Sequence, residues 1–315
     1  MTVSADPAQQ AKDETSVQDP YRATVLSVPA PHLPFMMGRL AHPPGLMPMP
    51  PEAWLRLDPD HAAQMAMRDG LMAADPAMIV AESLGEAAPA ATELLALVLA
   101  TLPERPGYQV RETQVVRPYG VRVAIDPARP FATLARLVAD DLCLLVPDAA
   151  SAEYRLAGAA LCFPSRWSLA EKMGRPMTAI HEPVPDYDAV LARRVNRVFE
   201  ALHEDRPVMR YNWLVHDDPT LCQPTVEETK RHGTSGIDGP YYLRTERQTL
   251  RRLPETGAIV FGIKTSVTPV EALAPDEAQA LADALGALST ASVAYRMGAG
   301  PMAAARRQLY ARATE

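Results

Sequence analysis

His181 stands between an isoleucine and a Pro-x-Pro pair, in the stretch Ile180-His181-Glu182-Pro183-Val184-Pro185. Proline biases the preceding residue away from the α region, so the histidine is expected outside a regular helix, on a stiff extended or turning segment. An imidazole held that way can be aimed at one fixed point. Shortly upstream, an apolar run from Gly158 breaks at Phe163-Pro164-Ser165 and is followed by Arg166 and Trp167. These two side chains suit a planar, partly charged ligand. A single axial imidazole is what a haem iron requires, because the porphyrin supplies four other ligands. The plain alternative for a lone histidine is a structural role.

A second set of candidates runs from Arg244 to Pro254, Arg-Thr-Glu-Arg-Gln-Thr-Leu-Arg-Arg-Leu-Pro. As a strand, it places Arg244, Glu246 and Gln248 on one face and Thr245, Arg247 and Thr249 on the other. A face carrying such charges can turn inward only if they are paired or meet a ligand. Arg244 or Arg247 could then neutralise a carboxylate such as a haem propionate, and Glu246 could meet a cation. An exposed, salt-bridged strand is the competing reading. Arg210-Tyr211-Asn212-Trp213 alternates charge and aromatic residues in the same manner.

Several chemistries lack their residues. The seven histidines include no H-E-x-x-H and no pair at metal-ligand spacing. Cys143, Cys162 and Cys222 form no C-x-x-C, so a structural zinc site or a four-cysteine cluster on this chain is not expected. Gly298-Ala299-Gly300-Pro301 follows a helix rather than joining a strand to one, which makes it a turn and not a nucleotide cradle. Ser165 has no motif-level base partner.

The elements that must position these residues fall into three stretches. Residues 1–20 are polar and small and are expected to be disordered. Residues 21–105 begin with a proline-punctuated, methionine-bearing arm to about Pro51, expected to lie extended on the main body. Two helices follow, from about His61 to Met72 after Asp58-Pro59-Asp60, and from about Ala88 to Leu102 with Leu94, Leu95, Val98 and Leu99 on one face. Residues 106–272 hold the strand candidates: Gln114–Ile125, which alternates around a Pro-Tyr-Gly turn, Leu142–Val146, a short continuous apolar run bounded by Pro147, and Tyr154–Phe163, Val208–Val215, Tyr241–Leu250 and Ala258–Val267. Phe131, Leu134, Leu137 and Val138 have helical spacing. Tyr187–Leu202 is the clearest amphipathic helix. Pro219–Gly239 is a polar loop long enough to act as a lid. Residues 273–315 close the chain with helices from Pro275 and from Met302. Strands in the middle and helices at both ends predict an α+β fold on an antiparallel sheet.

The chain has 315 residues, 48% of them hydrophobic, and a net charge of −7. That is enough apolar material for a real core and gives no basic footprint for nucleic acid. No secretory h-region and no uninterrupted apolar run of membrane-spanning length is read, so a cytoplasmic protein with no membrane partner is expected.

Five blocks together resemble the haem-dependent oxidative N-demethylase family. They are Phe163-Pro164-Ser165-x-Trp167, Lys172-x-Gly174, Ile180-His181-x-Pro183-Val184-Pro185, Arg210-x-Asn212-Trp213 and Arg244-x-Glu246-Arg247-Gln248-x-Leu250-x-Arg252-Leu253-Pro254. The resemblance covers roughly residues 30 to 295. It implies a PAS-like antiparallel sheet with flanking helices, holding haem b and used as an enzyme. Family members oxidise small secondary amines such as dimethylamine with O2, giving an aldehyde and a primary amine. Electrons reach them through partner components carrying flavin (FMN) and a [2Fe-2S] cluster. Carried over by position, His181 is the expected proximal iron ligand. Arg166, Arg210, Arg244 and Arg247 are candidates for propionate or distal-pocket contacts. Glu246 is the candidate carboxylate for a protonated amine, and Trp167 and Trp213 would wall the pocket. A haem-binding gas or redox sensor without turnover is the alternative on that scaffold; the C-terminal helices lack the sustained heptads of a signalling coiled coil. A haem-free binding or scaffold protein is the other.

Overall fold

A computed structural model describes residues 19–38, 45–83, 85–182, 189–225 and 239–315. Most of the expected disordered terminus, part of the arm, the start of the amphipathic helix and most of the lid-length loop lie outside the described residues.

The chain first lays down β1 (Met47–Pro48), α1 (His61–Ala74), α2 (Pro76–Ile79), β2 (Val80–Ala81) and α3 (Ala88–Thr101). A small antiparallel sheet follows, β3 (Gln109–Val110), β4 (Gln114–Val116) and β5 (Arg122–Ala124), and then α4 (Pro130–Leu137). The main strands are β6 (Asp141–Asp148), β7 (Glu153–Ala160), β8 (Val208–His216), β9 (Tyr242–Arg252) and β10 (Ile259–Pro269). Between β7 and β8 the chain crosses one face through α5 (Leu169–Lys172), α6 (Met177–His181) and α7 (Ala189–Ala201). It ends in α8 (Pro275–Gly286), α9 (Thr290–Arg296) and α10 (Ala299–Ala313). The fold is α+β. Its large sheet has seven strands in the order β1-β8-β9-β10-β6-β7-β2, every pair antiparallel.

The composition of β10 explains its central place. Ile259-Val260-Phe261-Gly262-Ile263-Lys264-Thr265-Ser266-Val267-Thr268 is rich in β-branched residues and almost entirely buried. It pairs with β9 along its whole length and with β6 over Ile259–Ile263, which satisfies much of its backbone. Pro147 does not end its strand as the sequence suggests: β6 runs through it to Asp148, near the end of the ladder.

The two sheet faces are packed differently. On one, Cys143, Leu145, Leu250, Ile259 and Ile263 meet Leu169, Met173, Met177, Ile180, Val195, Phe199 and Trp167 from the α5–α7 crossing. On the other, Leu142, Leu144 and Val260 join Leu71, Leu94, Phe131 and Leu134 from α1, α3 and α4. Val215 and Leu243 pack with Leu281 and Leu309 from α8 and α10. The helical stretch Gly85–Glu104 is long and apolar enough to span a membrane by length and composition. In the fold its Ala90, Ala91, Leu94, Leu95 and Val98 are core residues. The segment before β1 is tied to the body. Ser27 N donates to Val267 O at 2.8 Å, Thr268 Oγ1 to Ser27 O at 2.7 Å, and Ser27 Oγ to Asp60 at 2.7 Å.

Helix α4 approaches β7 so closely that only glycine fits at one position. A Cβ on Gly158 would collide with the Phe131 ring and the Ser83 hydroxyl. Gly158→Ala should therefore cost about 1–3 kcal/mol, the usual range for overpacking. Chemical denaturation measures it, and an unchanged midpoint would refute the close contact.

Candidate functional site

The register of β8, β9 and β10 sets out the floor of the α5–α7 face in rows. Arg210, Gln248 and Ile263 form one row, and Asn212, Glu246 and Thr265 the next. Leu214, Arg244 and Val267 form the third. Directly opposed residues project from the same side of an antiparallel sheet. The floor is therefore apolar toward Leu250, Ile259 and Ile263, and polar around Glu246.

Glu246 is fixed by two amides. Gln248 Nε2 donates to its Oε2 at 2.9 Å, and Asn212 Nδ2 donates to the same atom at 3.3 Å. Arg210 lies diagonally across on β8. Burial lowers its pKa, opposed by the Glu246 carboxylate, and its Nε is buried without a hydrogen-bond partner. A guanidinium partly stripped of water with an open donor is a ready contact for an anionic group.

His181 is the last residue of α6. This corrects the expectation of an extended or turning segment. Glu182, the residue before Pro183, itself keeps α-region dihedrals (φ −46°, ψ −40°) against the usual pre-proline bias, so the helical path continues through His181. The histidine is half-buried, and Nδ1 bonds to the Met177 carbonyl one turn back at 2.9 Å. A carbonyl only accepts, so the proton sits on Nδ1 and Nε2 is the lone-pair nitrogen. Burial lowers the histidine's pKa; the Met177 bond opposes this, and the Lys172 and Arg210 cations add to it. Lys172, itself buried, braces the helix by donating Nζ to Ile180 O at 2.8 Å.

The structure thus brings His181, Arg210, Glu246 and Trp167 to one side of the sheet. Arg166 and Arg244 sit at its end, engaged with protein. Arg166, in the left-handed region at φ 59°, donates to Asp217 at 2.7 Å. Arg244 donates to the carbonyls of Phe163 at 2.8 Å, Leu221 at 3.1 Å and Thr220 at 3.2 Å. Together they lash the segment after β7 to the segment after β8. Arg247 and Trp213 are not brought to this side, because strand alternation turns them to the opposite face. There Arg247 Nη2 lies 3.7 Å from Asp140, while Trp213 meets Phe35 edge-on and stacks under Arg296.

Sequence reasoning passed over Arg68, Asp141 and Thr265. Asp141 accepts from Arg68 at 2.6 Å, from Cys162 N at 2.7 Å and from Phe163 N at 2.9 Å. It therefore supports the segment that leads to Arg166 and Trp167. Its only signal was an acid directly before an apolar run.

Among the described residues no three His, Cys, Asp or Glu side chains gather as a metal site. An iron at His181 would take its remaining donors from a prosthetic group. The apolar wall of Trp167, Met173, Met177, Ile180 and Phe199 and the open Arg210 donor fit a group with a large apolar body and anionic edges.

The chain is an α+β protein on a seven-stranded antiparallel sheet, with a histidine-bearing helix across a half-polar face of that sheet. Residues 45–300 match the family model described as haem-dependent oxidative N-demethylase, alpha subunit-like, and the chain belongs to that family. The matched span runs from β1 through α9.

Proposed function

We propose that this chain is the haem-binding, amine-oxidising component of an oxidative N-demethylase, acting on a small secondary amine of the dimethylamine type. The observation that carries the reading is the pairing of His181 and the amide-clamped Glu246 on one face of the sheet, in a chain of this family. The strand order β8-β9-β10-β6-β7, with the helical crossing between β7 and β8, supports a PAS-like core over residues 106–272. Residues 21–105 would wrap that core as arm and helices, and residues 273–315 would close it.

His181 Nε2 would ligate haem b, with Trp167 along the porphyrin and Arg210 toward an anionic edge. When bound, the haem supplies activation of O2 and oxidation of the C–H bond next to nitrogen. The protein's own part is to bind, orient and deprotonate. Both amides converge on Glu246 Oε2, and in this reading Oε1 is the oxygen that meets the substrate. An ammonium held at Oε1 is placed by a charged hydrogen bond, and Glu246 can take its proton to leave a nitrogen lone pair beside the reacting carbon. Electrons would come from partner subunits carrying FMN and a [2Fe-2S] cluster. The alpha-subunit-like family description supports such an assembly.

Glu246→Gln should leave haem content unchanged and weaken amine binding by about tenfold or more, since it removes a charged hydrogen bond. Titration of the amine-induced change in the Soret spectrum measures this, and an unaltered titration would remove Glu246 from the role. Steady O2 consumption with dimethylamine and an electron donor is the activity test; haem binding without turnover would point to a sensor instead.

A further inference from the structure

Thr265 is opposite Glu246 in the β9–β10 ladder, and Glu246 is opposite Asn212 in the β8–β9 ladder. Opposed side chains share a face, with Cβ atoms about 5 Å apart. Thr265 is 1% exposed, and its Oγ1 is buried without a hydrogen-bond partner. Its backbone is pinned from behind, where Gln64 Nε2 donates to Thr265 O at 2.9 Å. Buried hydroxyls are normally satisfied. One left open beside a clamped carboxylate marks a place where another group completes the bond.

We infer that Thr265 Oγ1 and Glu246 Oε1 form a two-acceptor cradle for the two N–H groups of a secondary ammonium, and that Thr265 selects secondary over tertiary amines. This rests on the reading of Glu246 as the amine carboxylate. The hydroxyl oxygen carries lone pairs and can accept the second N–H. A tertiary ammonium has a single N–H. Bound at Glu246, it turns a methyl group toward Thr265 and leaves the hydroxyl unpaired. A site built to hydrogen-bond a group rejects the analogue that lacks it. Asn212 and Gln248 act as positioning residues, because they fix which carboxylate oxygen is presented.

The test is calorimetric titration of the haem-loaded wild type, Thr265→Val and Thr265→Ser with dimethylamine hydrochloride and trimethylamine hydrochloride. Thr265→Val should weaken dimethylamine about tenfold and leave trimethylamine unchanged, the loss of one hydrogen bond to a charged donor. Thr265→Ser keeps the hydroxyl and should keep the preference. Thr265→Ala carries the same expectation as valine should the larger apolar side chain disturb the strand. An unchanged preference in the valine and alanine variants, with binding still sensitive to Glu246→Gln, overturns the role of Thr265 alone. A wild type that binds neither amine overturns the amine reading and the cradle with it.

Discussion

Purified His181→Ala protein is expected to fold and to carry little haem, with a Soret-to-protein absorbance ratio reduced about tenfold or more. Loss of a supporting partner alone lowers metal affinity by about 10–100-fold, and loss of the ligand itself should cost at least as much. The fold should survive because His181 ends a five-residue helix, is half-buried and contributes no side chain to the apolar cluster beneath it. The Met177 carbonyl that loses its imidazole partner is only part-buried, so water can replace the bond. Far-ultraviolet circular dichroism should therefore match the wild type while the Soret band collapses. Added imidazole can enter the space left by the side chain and should restore part of the band. Full haem occupancy with an unshifted Soret maximum in this variant would mean that another residue holds the iron.

Much of the architecture is legible in the sequence, because alternation and helical spacing are strong in the long elements. β8, β9 and β10 fall where period-two patterning places them, and α1, α3 and α8 where their caps and stripes do. Two-residue strands such as β1 and β2 carry no pattern of their own; they exist because an edge of the sheet offers partners. The seven-residue α9 was missed for a related reason, since its helix is defined by the Ser289 cap more than by an apolar stripe.

The site was legible by composition and less so by geometry. The strand pattern around Glu246 already implies that Arg247 faces away from it, although the resemblance makes Arg247, like Arg244, a candidate for the same pocket. The register shows the separation, with Arg247 beside Asp140 on the opposite face. Arg166 and Arg244 read equally well as anion contacts or as braces, and only their partners distinguish the two: a carboxylate for the first and three backbone carbonyls for the second. Thr265 was hidden because threonine in a β-branched run reads as ordinary strand filler. Its significance depends on the residue across the ladder, which no local pattern specifies.

Asp141→Asn is expected to destabilise the protein by about 3–5 kcal/mol, the range for breaking a buried ion pair by removing one partner. Arg68 is fully buried beneath the carboxylate. It also donates to the carbonyls of Ala135 at 3.0 Å, Asp140 at 3.3 Å and Ala139 at 3.4 Å, which hold its guanidinium in place. It therefore cannot follow its lost counter-ion into water. Asparagine also replaces one acceptor oxygen with a donor nitrogen, so at least one of the Arg68, Cys162 N and Phe163 N bonds must fail. The loosened segment is the one that carries Arg166 and Trp167, so haem retention should fall along with the urea midpoint. Arg68→Met combined with Asp141→Asn removes both charges and should cost less than the sum of the two single changes, because the residues act as a unit. Strict additivity, or a single-variant loss under about 1 kcal/mol, would contradict a coupled buried pair. A destabilised variant that kept full haem would cut the link from this pair to the pocket wall.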